Sequence, residues 1–257
     1  MSTSSRSTPL PPFLPTLILR KILLTNDGRD KILKCTQYTL KLYLILHQFH
    51  STLLSAIPQK YPTTSKTISQ LSLTRKIIRL GAALNSYSEL LDALQERAKA
   101  KGTPSQRQQL AVLSGLVGIA NGLADDIVCY GKLGIAPPSL VKRATPLADQ
   151  LWFFNIFLDV YELMQNIKDK QIALHRLSQM EREELEVDEK DVKAKKRKLV
   201  NDLYMANVSL GKLGADFVFC SVDVFGLKLA GWDEHVQTVA GLVSALLGTY
   251  KLWVKNS

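Results

Sequence analysis

The sequence predicts an all-α protein, a membrane-associated helical bundle with amphipathic helices and an apolar C-terminal helix. Three observations carry that reading. Apolar residues recur at helical period through most of the 257-residue chain. Strict two-residue alternation, the mark of a half-buried strand, is nowhere sustained. Proline and glycine fall between the periodic segments as punctuation.

The segments follow in order. Residues 1–12, rich in Ser, Thr and Pro, read as a disordered tail without the apolar run of a signal peptide. Residues 13–257 read as a single helical domain. A short helix is predicted over 13–24, then a turn at Asn26, Asp27 and Gly28, whose short side chains suit a helix junction. A long helix follows over 29 to about 56, with Asp30 in the first turn, where the helix dipole favours a carboxylate. Pro58 and Pro62 end it. The next helix spans 67–99, and a more apolar one spans 106–130. Pro137, Pro138 and Pro146 predict a loop. Residues 148 to about 199 read as one helix, apolar and then highly charged, with a charged insert near 176–200. The last third holds two apolar helices, 213–230 and 235–254.

The cleanest periodicity lies in 67–99. Leu73, Ile77, Leu80, Leu84, Tyr87, Leu91 and Leu94 recur at steps of four and three and form one stripe, with Arg75, Lys76 and Arg79 to one side. Such a helix suits a membrane interface, apolar side chains among acyl chains and cations at phosphates. It equally suits packing on a bundle. Gly118 with Gly122, and Gly241, Ala245 and Gly248, give two faces of small residues that let another helix approach closely. Residues 236–250 carry no charge and are followed by Lys251, Trp253 and Lys255, the pattern of an interfacial anchor; 110–124 is a second apolar stretch. Asp216 and Asp223, seven apart, share a helix face and mark either a solvated side or a wet path.

Composition narrows function. Lys and Arg number 33 against 23 Asp and Glu, a formal net charge of +10, which suits an anionic partner. With 46% hydrophobic residues an anionic phospholipid membrane fits better than nucleic acid, although a soluble basic scaffold has the same composition. The basic run Lys193 to Lys198 follows an acidic stretch and reads as a compensated, solvated helix. Cys35, Cys129 and Cys220 have no metal or redox spacing. His47 and His50 have no companion ligands. Asp125 and Asp126 have no catalytic context. No nucleophile elbow or phosphate loop appears, so no enzyme activity, cofactor or metal is expected.

Residues 23–38, Leu-Leu-Thr-Asn-Asp-Gly-Arg-Asp-Lys-Ile-Leu-Lys-Cys-Thr-Gln-Tyr, resemble the N-terminal signature of the peroxin-11 family. Residues 74–81, Thr-Arg-Lys-Ile-Ile-Arg-Leu-Gly, resemble its basic helix. Residues 129–134, 148–153 and 241–253 extend the likeness in order. Ala82, where a Lys is common, and the charged insert depart from it. The resemblance implies a peroxisomal membrane protein, its N-terminal region facing the cytosol, that elongates peroxisomes before fission by helix insertion and homo-oligomerisation. It makes Arg75, Lys76 and Arg79 candidate lipid contacts and Leu73, Ile77, Leu80, Leu84, Tyr87 and Leu91 the inserting face. It implies a dynamin-related GTPase and its membrane adaptor as partners. The alternative is a membrane channel for small metabolites, its wet path lined by Asp216 and Asp223.

Overall fold

The computed structural model describes residues 14–53, 61–99, 102–182, 189–228 and 231–257. Among these residues there are eight helices and no strand: α1 (Leu14–Leu23), α2 (Asn26–Leu53), α3 (Pro62–Ile78), α4 (Ala83–Lys99), α5 (Gln106–Lys132), α6 (Pro138–Arg182), α7 (Glu189–Phe225) and α8 (Asp233–Asn256). The expected N-terminal tail lies outside the described residues.

Neighbours pack in the cycle α2–α3–α5–α6–α7–α8 and back to α2, so six helices close a ring. Helix α1 rests outside on α2 and α8, and α4 packs on α5. The surface of this ring is rich in exposed large apolar side chains, among them Leu116, Leu123, Phe157 and Leu246, and Leu84 of α4 is exposed too. Charged Asp30, Arg75 and Asp216 are buried. The buried set is mainly apolar, with these charged groups among it, and the exposed apolar side chains suit contact with an apolar surrounding.

Four expectations are corrected. The 67–99 helix is two, because the chain turns at 79–82 with Gly81 at φ +79°, a left-handed conformation glycine adopts without steric cost. Pro146 is no loop residue; it lies inside α6, where Ala144 and Ala148 on either side are buried and hold the segment despite the lost hydrogen bond. The break expected between helices over 148–199 and 213–230 is absent: the basic end of the first runs on within α7, which takes in the second as far as Phe225. The cap of α2 is Thr25 rather than Asn26–Gly28: its Oγ1 accepts from the Gly28 amide at 3.0 Å and donates to the Ile22 carbonyl at 2.9 Å. Gly28 itself lets α2 start against α1, since a Cβ there would strike the Ile22 backbone.

Helix α5 is the one described helix long and apolar enough to cross a membrane. The C-terminal anchor expected at 236–250 falls short of that test. Its Thr238, Ser244 and Thr249 lower its apolarity, and its small face is buried.

Candidate functional site

Inside the ring is a polar cavity of about 490 Å³, with walls from α2, α3, α5, α6 and α7. Its α2 wall explains the sequence after Gly28. Asp30 and Gln37, seven residues apart, occupy one face of α2, and both are buried. Arg75 crosses from α3 between them, Nε donating to Asp30 Oδ1 at 2.9 Å and Nη1 to Gln37 Oε1 at 2.9 Å. Burial acts to raise the Asp30 carboxyl, but Arg75, then Arg79 and Lys31, outweigh it and hold it below its ordinary value. One turn on, Lys34 Nζ reaches Asp216 of α7 at 3.2 Å and Ser244 of α8 at 2.8 Å. Lys212 meets the other Asp216 oxygen at 2.8 Å. Tyr38 lies edge-on to Phe219 with centroids 5.9 Å apart.

Asp125 and Asp126 join this site through the α3–α4 elbow. Lys76 Nζ sits 3.0 Å from Asp125, and Arg79 lies 3.9 Å from both Asp125 and Asp30. The Gly81 amide donates to the Asp126 carboxylate at 3.2–3.3 Å. These contacts close the seam between α3 and α5. No spacing rule marks them in the sequence, because each pairs residues about 45 positions apart.

Two of the three basic residues expected at lipid phosphates, Arg75 and Lys76, therefore face inward. Arg75 is buried and Lys76 is partly so; Arg79 is 43% exposed and points at two carboxylates. The apolar set behaves differently. Ile77, Leu84, Tyr87, Leu91 and Leu94 are exposed, Leu84 by 72%, while Leu73 and Leu80 are half-buried. The other side of α4 is packed: Ala83, Leu90 and Ala93 are buried against α5.

The small residues lie at seams within the chain. Gly115, Gly118 and Gly122 of α5 face Leu90, Ser86 and Ala83 of α4. Gly241 and Gly248 of α8 face Tyr38 and Lys31 of α2, and Ala245 is fully buried. The α8 glycines thus serve packing within the chain. Gly241→Leu is expected to lower thermal stability in detergent by several degrees while leaving crosslinked oligomer yield per folded molecule unchanged, because the new side chain would enter the Tyr38 ring.

Asp216 and Asp223 both line the cavity. Asp223 accepts from Gln237 Nε2 at 2.6 Å. Among the described residues no group of His, Cys, Asp and Glu is arranged to hold a metal ion.

A family model described as peroxisomal biogenesis factor 11 (PEX11) matches residues 18–253. The chain is 23% identical over 264 residues to a protein described as a peroxisomal membrane protein 11 homolog from Dictyostelium discoideum, covering 95% of each. No solved structure matches the chain.

Proposed function

The chain belongs to the peroxisomal biogenesis factor 11 (PEX11) family, and we propose from that premise that it elongates the peroxisomal membrane before fission. Membership assigns it a role in peroxisome biogenesis and proliferation, and a place at the peroxisomal membrane. The finer reading is mechanical. The edge of α4 seats among acyl chains of the cytosol-facing leaflet, widens that leaflet, and acts in numbers through self-association. A dynamin-related GTPase and its membrane adaptor then act on the narrowed tubule.

One observation supports this reading above the others. Helix α4 is apolar on both sides, yet only the side holding Ala83, Leu90 and Ala93 is covered. The line from Leu84 through Tyr87 and Leu91 to Leu94 is left bare. Burying an aliphatic side chain contributes about 1.5–3 kcal/mol, so a few such residues hold a helix at a bilayer. Because Arg75 and Lys76 are engaged inside, the attachment depends on these side chains more than on anionic lipid.

Leu84→Glu with Leu91→Glu tests it. Both positions are exposed, so the bundle should fold, and a charge there resists desolvation by several kcal/mol. The variant is expected to reach peroxisomes and to leave their length at the level of cells lacking the protein. Normal tubules at matched expression would retire the wedge.

The cavity favours a second reading, a channel for small metabolites, since Asp216 and Asp223 lie on its wall. In a planar bilayer the purified chain would then conduct, and Asp223→Lys would move the reversal potential toward anion preference. A silent bilayer excludes it.

A further inference from the structure

We infer that the ring cavity binds a phosphate–ammonium zwitterion, the choline- or ethanolamine-phosphate group of a phospholipid. The inference rests on the cavity walls and is independent of the elongation reading.

The walls differ across the ring. Helix α3 supplies Arg75 and Lys76, and the residue that caps its end is Arg79. Arg75 and Lys76 are each matched by a carboxylate at hydrogen-bond distance. Arg79 is not: it stands 3.9 Å from its two carboxylates and is half-exposed, so its planar donors are open to a phosphate.

Across the cavity, α6 and α7 supply Asp149, Trp152, Phe219 and Asp223. Among the described residues, neither Asp149 nor Asp223 has an ion-pair partner. Asp149 and Asp223 line the same cavity, and the Trp152 and Phe219 ring centroids are 5.9 Å apart. Tyr38 completes the aromatic group against Phe219. Aromatic faces beside uncompensated carboxylates attract an organic cation, quaternary ammonium above all. The Tyr38 ring already takes one cation, Lys41 Nζ at 5.6 Å from its centroid.

A ligand meeting both walls carries an anion and a soft cation a few bonds apart. A phospho-amine headgroup has that form. Polar contacts of Lys76, Asp125, Gly81 and Asp126 close the α3–α5 seam, while Leu84 and Leu123 outside it are exposed for acyl chains.

The test uses the full chain in maltoside detergent and native mass spectrometry. Phosphatidylcholine and phosphatidylglycerol with identical acyl chains are added separately, and free phosphocholine serves as competitor. Phosphatidylcholine adducts are expected to exceed phosphatidylglycerol adducts by about tenfold, in line with one desolvated cation–π contact. Asp149→Asn with Asp223→Asn should abolish the difference; Asp223→Asn alone, at an exposed position, should reduce it if the double variant does not fold. Displacement by phosphocholine confirms headgroup recognition, and phosphocholine binding without lipid binding assigns a soluble source to the same chemistry. Equal retention of both lipids, or a preference that survives the aspartate substitutions, overturns the inference. The readout needs neither tubules nor current, so its failure is separable from failure of either reading above.

Discussion

Asp30→Ala is expected to be the most damaging single substitution in the bundle, lowering stability by about 3–5 kcal/mol. It leaves the buried Arg75 guanidinium with neutral partners such as Gln37 and no carboxylate at hydrogen-bond distance. Arg75→Ala should cost less, since Asp30 keeps Lys31 at 3.5 Å and Arg79 at 3.9 Å. The double variant Asp30→Leu with Arg75→Leu should recover much of either loss, because no uncompensated charge is left in the interior. Thermal unfolding in detergent, followed by tryptophan fluorescence, reads all four proteins. The lowered Asp30 titration fixes the pH window. Its stabilising contribution is complete above the ordinary carboxylate value of 3.8 and is lost as pH falls through the still lower value of the folded protein. Single variants within 1 kcal/mol of the parent would show that the pair is incidental.

Gly122→Leu is expected to release α4 and to abolish peroxisome elongation together. A Cβ at Gly122 would stand 2.7 Å from the Ala83 amide nitrogen and 2.9 Å from its Cα, atoms that cannot rotate away. Overpacking of this kind costs about 1–3 kcal/mol or more. Among the described residues α4 packs only on α5, so the ring has no need to open when α4 leaves. Hydrogen exchange should accelerate across 83–99 and stay slow in α2, α7 and α8. Gly214→Ala is the matched control: open space surrounds Gly214, and alanine there should be neutral or stabilising by up to about 1 kcal/mol. Slow exchange in α4 of the Gly122 variant would contradict this account.

Period and punctuation made most of the helices legible, because both act locally. The boundaries of α1, α2, α5 and α8 fall within a few residues of those the pattern predicts. The elbow at 79–82 was hidden by the same pattern. The steps of four and three run through Leu80 to Leu84 without a break, and only the Asp126 carboxylate, far along the chain, gives the turned Gly81 amide a partner. Pro146 misled for the converse reason: a strong local breaker was overruled by burial on both sides. The apolar stripe was readable, but whether its cations meet lipid or protein depends on what stands opposite them. Asp30 looked like a residue complementing a helix dipole. Its role as the carboxylate of an interior ion pair became visible only once α3 lay against α2.

The Lys34–Asp216 contact joins residues 182 positions apart, and α8, which flanks both, comes later still. At about 5–20 residues per second, a ribosome needs roughly 10–35 s to travel from one to the other. Throughout that interval the polar face of α2 has no counterpart from α7. The ring is therefore a product of the finished chain, and half-made molecules hold charged and apolar surfaces that nothing yet covers. Truncations ending before α7 should accordingly be cleared by quality control rather than accumulate at the organelle.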